Sequence, residues 1–313
     1  MSTTAGSIAF RLDRKQVLAS FLILVSALCF SAKAVLIKMA YRYEVDSISL
    51  LTLRMAFALP FFLAIAWWSR PKHGDGKARL RAQDWLEIIV YGLLGYYFAS
   101  LFDFMGLQYV SAGMERLILY LYPTIVLLLS AVLFRKKVLR SQLIALALTY
   151  AGIAVAFFDG QNLMQGSNIP FGGFLIFMSA IAYAVYLLGT ATLLPRLGTL
   201  RYTSLAISAG CIAIILQHGI QFQWDLWGFP AMVYWLSLLM AILSTVLPTF
   251  LVSEGVRMIG AGNASIIGSI GPVSTIALAY WLLGEGFGFW QLVGTLLVTG
   301  GVVYISLAKR DKN

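Results

Sequence analysis

The sequence predicts an all-α membrane protein with ten transmembrane helices, arranged as two inverted five-helix repeats. Three observations carry this prediction. The chain is too apolar for a soluble protein, since 60% of its 313 residues are hydrophobic and 12% are charged. Its two halves match each other at a fixed offset, and its basic residues are concentrated in every second loop.

The composition requires that much of the apolar surface faces lipid, because a soluble domain would expose more of it than water tolerates. The apolar runs are about 20 residues long, which suits helices crossing a hydrocarbon core of about 30 Å. Barrel strands would instead alternate over segments of about ten residues. The basic residues of this chain of net charge +10 lie mostly in loops, where they set topology. A nucleic-acid partner is therefore not expected.

Cysteine and motif content excludes several other classes. Cys29 and Cys211 lie within apolar runs, without a CxxC motif or a Cys/His cluster. A disulfide framework, a metal site and a cofactor are therefore not expected. The phosphate-binding pattern GxxxxGK[ST] is also missing from the sequence, which argues against ATP-driven pumping.

Segments 113–134 and 262–283 are the signature of an internal duplication with an offset of 149 positions. Each contains a proline, Pro123 or Pro272, which lacks an N–H and disrupts the helical hydrogen-bond ladder near mid-membrane. Such prolines line cavities or act as hinges, although a merely tolerated kink is the alternative. The identical pairs at this offset are Gly106/Gly255, Ala112/Ala261, Gly113/Gly262, Ile118/Ile267, Pro123/Pro272, Leu129/Leu278, Leu133/Leu282, Gln142/Gln291, Leu143/Leu292, Leu148/Leu297 and Gly152/Gly301.

The chain divides into a cytoplasmic N-terminal tail (1–16), a first repeat (17–158), a second repeat (172–308) and a cytoplasmic C-terminal tail (309–313). The first apolar run resembles a signal peptide in its basic start, but it extends to about Met39 and further spans follow, so it is a retained span. The predicted spans are 17–39, 47–69, 85–107, 113–134, 140–158, 172–194, 202–220, 231–256, 262–283 and 288–308.

Loop charges set the predicted orientation. The N-terminus, the loops near 70–84, 134–140, 195–201 and 257–261, and the tail carry 18 basic residues, whereas the intervening loops carry only Arg42. This imbalance places both termini in the cytoplasm. An odd number of spans in each half inverts the second half relative to the first, an architecture found in secondary transporters.

Three stretches resemble the drug/metabolite transporter superfamily, in its ten-span EamA-type branch. They are CFSAKAVLIKMAYRYEVDSISLLTLRMAFALPFFL, GLQYVSAGMERLILYLYPTIVLLLSAVLF and GVRMIGAGNASIIGSIGPVSTIALAYWLLGEGFGFWQLVGTLLVTGGVVYI. The resemblance implies a transporter, commonly an exporter of small polar metabolites such as amino acids, with a central cavity between the repeats. Two features depart from the family pattern. The first half has Arg135-Lys136 where the second has Gly284-Glu285, and the Glu115-Arg116 pair looks like a subgroup feature.

Ionisable side chains within the spans are the candidate binding groups, since each is costly unless it faces a cavity or a partner. The second half offers only Glu254 and His218. The first half has more cations than acids, which suits a substrate with a carboxylate or phosphate. Its ionisable residues are Lys33, Lys38, Arg54, Asp103, Glu115 and Arg116.

Two basic residues have alternative interpretations. Lys33 either lines the cavity or snorkels to the outer interface, and snorkelling is favoured for Lys38. Arg54 either pairs with Asp103 or Glu115, or binds a substrate anion with both terminal nitrogens.

Glu115 and Arg116 point about 100° apart on a helix, so each requires another partner unless both belong to an outer interfacial belt. Arg116, Tyr120 and Pro123 have the spacing of one helical face. Glu115 is additionally a candidate for proton coupling, because burial changes how readily a carboxylate gives up its proton. Tyr96, like its neighbour Tyr97, sits mid-span and is predicted to line the pore.

The sequence thus predicts a non-enzymatic secondary transporter in a bacterial inner membrane. It would move a small molecule by alternating access between the repeats, and efflux of amino acids or related metabolites follows from the family resemblance alone. The alternatives are an integral membrane enzyme, which would require a catalytic His/Asp/Glu cluster at a membrane face, and a non-transporting scaffold. The oligomeric state, ion coupling and substrate identity remain open.

Overall fold

The computed structural model describes residues 14–70, 80–133, 168–268, 270–286 and 288–310, together with 140, 143–144, 147–148, 150–152 and 154–155. Several predicted features lie outside the described residues. They are most of the N-terminal tail, most of loop 70–84, loop 134–139, much of the fifth span, loop 159–167 and the last three residues.

The described elements of the first half are all helical. A π-helical stretch, Leu93–Phe98, joins two of them into one span, Ala82–Gly106. We call it the first π segment. The helices are α1 (Arg14–Tyr41), α2 (Ser47–Trp68), α3 (Ala82–Gly92), α4 (Ala99–Gly106), α5 (Ala112–Leu119) and α6 (Tyr122–Leu133).

The second half repeats this pattern, including a second π segment at Ile242–Val246. Among the described residues, seven helices are long and apolar enough to cross a membrane, and Gly271–Leu283 and Phe289–Gly301 are shorter apolar helices. The helices are α7 (Ile169–Leu197), α8 (Thr199–Phe222), α9 (Ala231–Ala241), α10 (Leu247–Gly268), α11 (Gly271–Leu283) and α12 (Phe289–Arg310).

Local sequence signals account for several helix ends. Asp46 precedes α2, and its carboxylate accepts hydrogen bonds from the backbone N–H groups of Ile48 and Ser49. The Ser111 hydroxyl caps α5 in the same way by accepting from Met114 N. These contacts satisfy N–H groups that have no partner within the helix. At the end of α11, Gly284 adopts a positive φ of 68°, the left-handed conformation that favours glycine.

Equivalent elements of the two halves keep the 149-residue offset. Helices α3 and α9 begin at residues 82 and 231, the π segments begin at 93 and 242, and α6 and α11 begin at 122 and 271. The sequences of the two π segments, LLGYYF and ILSTV, share little beyond apolar character. The shared backbone pattern therefore supports the predicted duplication independently of residue identity.

Helix breaks precede both repeat prolines, as predicted. In each half the proline is the second residue of the following helix, α6 or α11, where its missing N–H removes no helical hydrogen bond. The two breaks are adjacent in space, because the Tyr120 hydroxyl donates to the Gly268 carbonyl over 2.9 Å. The break at residues 120–121 also divides the predicted Arg116–Tyr120–Pro123 face between two helices.

The predicted cytoplasmic turn at 257–261 is wrong. Helix α10 runs unbroken through these residues, and an Arg257–Glu254 ion pair lies along it. The first half does break here, where Ser111 caps α5. The equivalent position in the second half is Gly260, which has no side chain to act as a cap. The α-helix therefore continues to the next strong break, before Pro272.

Packing between helices of different halves builds the bundle. Helix α1 lies against α10 and α11, and α2 lies against α8. One apolar core surrounds α2 and the end of α4, and another surrounds the start of α3 with α7 and α8. The α3–α4 span is 25 residues long, so its ends are roughly 37 Å apart at 1.5 Å per residue. We call these opposite ends of the bundle the α4 end and the α3 end.

Gly92 is expected to tolerate no larger residue. A Cβ there would lie 2.4 Å from the Ala206 backbone oxygen, where α3 crosses α8. We expect Gly92→Ala to destabilise the protein by about 1–3 kcal/mol through overpacking, measured as a lower melting temperature in detergent. Gly300→Ala is the matched control, since nothing lies within 4 Å of its Cβ position. Equal melting temperatures for the two variants would contradict this close crossing.

Candidate functional site

A buried ionic triad joins three helices of the first half. The Lys33 ammonium on α1 lies 2.6 Å from Oδ2 of Asp103 on α4 and 3.3 Å from Oε1 of Glu115 on α5. The Lys33 side chain is 13% exposed and Glu115 is fully buried. Lys33 is therefore held between two carboxylates, and the alternative of snorkelling to the interface is wrong for it.

The triad leaves polar capacity unused. Oε1 of Glu115 makes its 3.3 Å ionic contact with Lys33, whereas Oδ1 of Asp103 and Oε2 of Glu115 are buried without a hydrogen-bond partner among the described residues. Leaving such atoms unpaired costs free energy, and buried unsatisfied groups are rare in folded proteins. These oxygens are therefore available to a bound molecule or a proton.

Arg54 does not pair with either carboxylate. No ion pair joins it to Asp103 or Glu115, both of which contact Lys33 instead. Its Nε donates to Thr245 Oγ1 over 3.0 Å, and its guanidinium carbon lies 5.4 Å from the centre of the Phe104 ring. Within the described part of the chain, its two terminal nitrogens have no hydrogen-bond partner. Of the two predicted interpretations, direct pairing with these acids is wrong, and anion binding by Arg54 stays a prediction.

Arg116 is also buried without a carboxylate partner in the described residues. Its guanidinium carbon lies 5.9 Å from the centre of the Tyr120 ring, as the i, i+4 spacing predicted, and its Nε has no hydrogen-bond partner there. The predicted second partner for Arg116 is thus an aromatic face rather than an acid.

The buried charges of this site do not balance. Counted in their ionised forms and among the described residues, the cations Lys33, Arg54 and Arg116 have two carboxylates near them, Asp103 and Glu115, so one positive charge is in excess. A buried charge without a counter-ion is strongly unfavourable. The arrangement can therefore stabilise one bound negative group.

A row of tyrosines continues from Arg116 towards the α3 end. The Tyr120 ring lies 6.4 Å from that of Tyr122, and the Tyr122 ring lies 5.2 Å from that of Tyr183. The row ends where the hydroxyls of Tyr96 and Tyr186 lie 3.2 Å apart, with Tyr96 half-buried. These contacts bring Tyr96, which was predicted to line the pore, and Tyr120, which was predicted on the Arg116 face, into one row. Whether either residue lines a pore stays a prediction.

Sequence reasoning missed several members of this arrangement. Tyr183 and Tyr186 are three residues apart on α7, so their shared helical face was a readable signal. Thr245 gave no signal, because it lies in an apolar stretch whose π-helical geometry cannot be predicted from the sequence.

Contacts between the halves also close the α4 end. The Glu285 carboxylate accepts from the N–H of Ala112 at the start of α5, with both oxygens at 3.1 Å. The Arg42 side chain donates to the Leu283 carbonyl at the end of α11 over 3.1 Å. The segment Leu283-Gly284-Glu285 thus joins the second half to the first, a structural role that sequence reasoning did not assign.

Two further polar candidates, Lys38 and His218, lie near the α4 end, whereas Glu254 pairs with Arg257 along α10. Lys38 lines a cleft of about 380 Å³ together with Tyr41, Asp46 and Gln108. His218, which appeared isolated in the sequence, lies 3.1 Å from the Ser49 hydroxyl through Nε2. Pro272 is buried at the second break, and Pro123 is described only through its backbone position in α6.

Comparison with known proteins finds one family model matching the chain twice. The model of the EamA-like transporter family matches residues 17–158 and 170–307. These two matched regions correspond to the two halves described above.

Relatives of similar length are named as transporters without a stated substrate. The chain is 30% identical over 298 residues to the uncharacterized transporter YcbK of Bacillus subtilis, covering 93% of this chain and 92% of that protein. It is 26% identical to the uncharacterized inner membrane transporter YicL of Salmonella typhimurium, covering 77% of this chain and 80% of that one. A crystal structure with 17% identity matches with a TM-score of 0.64, covering 94% of this chain and 98% of that chain, which shows a shared fold.

Proposed function

The chain belongs to the EamA-like transporter family, and from this premise we propose that it is a secondary transporter of a small metabolite carrying a carboxylate or phosphate. The observation that carries the substrate class is Arg54. Its guanidinium is buried, it is fixed on one side by Thr245, and its two terminal nitrogens have no partner among the described residues. A planar anion can accept two parallel hydrogen bonds from such a fork.

The surplus charge of the site supports the same substrate class. Arg116 is the second buried guanidinium without an acidic partner in the described part of the chain, and Lys33 already holds both carboxylates. One substrate anion would neutralise the excess positive charge while it crosses the membrane interior. Amino acids supply a carboxylate that Arg54 could bind, and metabolites of net negative charge would also neutralise the excess. Export is the proposed direction by family resemblance.

The proposed mechanism is alternating access between two inverted five-helix repeats. The family match to each half, the common offset of the π segments and the adjacent helix breaks support it. From the loop charges we propose a bacterial inner-membrane location with both termini in the cytoplasm. The ten predicted spans then require the chain to reverse direction within or next to α10, which is helical through 257–261. The α4 end then faces outwards and the α3 end faces the cytoplasm.

The test is solute flux into liposomes containing the purified protein. Radiolabelled amino acids, organic acids, phosphate esters, polyamines and uncharged nucleosides form the panel, with empty liposomes as the control. We expect flux for one anion-bearing class only. Thermal unfolding should identify the same class, since a ligand at 100 times its dissociation constant stabilises by about 2.7 kcal/mol. Flux confined to polyamines or nucleosides would overturn the proposed substrate class, and an absence of flux throughout would favour a scaffold.

A further inference from the structure

Thr245 lies at the centre of a contact between the two halves. Its hydroxyl donates to the Met240 carbonyl five residues earlier over 3.1 Å and accepts from Arg54 Nε over 3.0 Å. The first bond spans the π-helical turn, and the second reaches a helix of the other half. The geometry of the second π segment thus fixes where the Arg54 side chain points.

Tyr96 makes the corresponding contact from the first half. It lies in the first π segment, and its hydroxyl is 3.2 Å from that of Tyr186 in the second half. The two rings meet edge to face at 5.1 Å. Tyr186 in turn stacks on Tyr202 near the start of α8, so Tyr186 lies on the side of this contact that faces the α3 end.

The two contacts are related by the internal repeat. Tyr96 and Thr245 are each the fourth residue of a π segment and are 149 positions apart. Each directs a hydroxyl at a residue of the opposite half. The Arg54 contact lies beside Phe104, close to the α4 end. In the other contact, Tyr186 belongs to the core at the α3 end, and Tyr96 reaches it from the middle of the α3–α4 span, where it packs against both cores. An equivalent residue in each half therefore contributes to a contact at a different end of the bundle.

We propose that Thr245 and Tyr96 are paired gate-positioning residues, each holding one end of the substrate path closed. This inference rests on the proposed function. In the present structure both contacts are formed, so under this proposal both ends of the path are closed. Opening the α4 end requires the Thr245–Arg54 contact to separate, and opening the α3 end requires the Tyr96–Tyr186 contact to separate.

The chemistry of these contacts suits a reversible gate. A hydrogen bond from a hydroxyl contributes little net free energy, so it can separate without a large barrier. Segments of π-helix are frequent at functional sites and mark places where helical hydrogen bonds rearrange. At the α4 end the gate also contains Arg54, so an anion bound to Arg54 would change the strength of the Thr245–Arg54 hydrogen bond.

The test measures distances across each end by double electron–electron resonance. Spin labels at positions 43 and 227 report on the α4 end, and labels at 83 and 200 report on the α3 end; all four side chains are exposed. The buried Cys29 and Cys211 are replaced by alanine so that only the reporters are labelled. The measurement uses the full chain in lipid nanodiscs without substrate.

Thr245→Val is expected to raise the ratio of open to closed populations at the α4 end by about five-fold, the effect of one lost hydrogen bond. Tyr96→Phe, which retains the ring, should raise the ratio by a similar factor at the α3 end only. Thr245→Ser retains the hydroxyl and should match the parent. Changes at the same end for both variants, or none at either end, would overturn the proposal.

These distances separate the inference from the proposed function. If the distances shift as expected but no solute crosses the liposome membrane, the gate assignment holds and the transport proposal fails. If wild-type flux is measured while both variants leave the distances unchanged, the transporter proposal holds and the gate assignment fails.

Discussion

Arg54→Ala is expected to abolish transport while leaving the protein folded and inserted in the membrane. The substitution removes the guanidinium fork that would bind the substrate anion, and it leaves Thr245 able to keep its bond to the Met240 carbonyl. Two charge-assisted hydrogen bonds contribute about 1.5–3 kcal/mol each. At substrate concentrations below saturation, we therefore expect a loss of flux of at least about 100-fold.

Two further variants sharpen this measurement. Arg54→Lys retains the charge but not the planar fork, so it should recover only a small part of the flux. Arg70→Ala is the matched control, because Arg70 is exposed just beyond the end of α2 and lies against Trp67. Membrane yield and melting temperature are measured for all three. Wild-type flux with Arg54→Ala would show that the substrate anion binds elsewhere.

The lipid-facing class and the duplication were readable because both are properties of long segments. Apolar runs of membrane-crossing length and a fixed offset of 149 positions can be recognised even when the role of any single residue is unknown. The breaks before Pro123 and Pro272 were readable for a related reason, since proline acts through its own backbone. The two-repeat interpretation is supported by the family match to both halves.

The helix that replaces the turn at 257–261 and the two π segments could not be predicted from the sequence. Each depends on small free-energy differences between local backbone conformations. In the first half, the Ser111 hydroxyl caps the start of a new helix. In the second half, the equivalent position 260 is a glycine, and the helix continues through it. Loop charge predicted an inner turn at Arg257, but charge reports orientation and not helix termination. The π geometry leaves no pattern in apolar sequence.

Candidate site residues were found by one physical rule, namely that an ionisable group within a span requires a partner or a cavity. The rule located Lys33, Asp103, Glu115, Arg54 and Arg116, but it could not assign their partners. Pairing depends on which helices meet, and that is a property of packing rather than of any segment. Uncharged participants such as Thr245 and Tyr186 escape the rule altogether.

Lys33→Met should have the largest effect on stability. It removes the ammonium between Asp103 and Glu115 and leaves two buried carboxylates without a cation in contact. Removing one partner of a buried ion pair lowers the free energy of unfolding by about 3–5 kcal/mol. This is a large part of the stability of a typical domain. We expect a strong fall in melting temperature and in the yield of folded protein from membranes.

Removing all three charges of the triad should separate its structural role from its functional role. In the triple variant Lys33→Met, Asp103→Asn and Glu115→Gln, no charge remains among the three positions, and replacing a buried ionic group by neutral groups is often close to neutral for stability. Because Arg54 and Arg116 then lack both buried acids, we expect the melting temperature to recover only in part, while flux stays low because the buried carboxylates that would bind a proton or a polar group are gone. Recovery of both would make the triad purely structural. Failure of the triple variant to recover stability would mean that Lys33 acts through packing of its long side chain rather than through its charge.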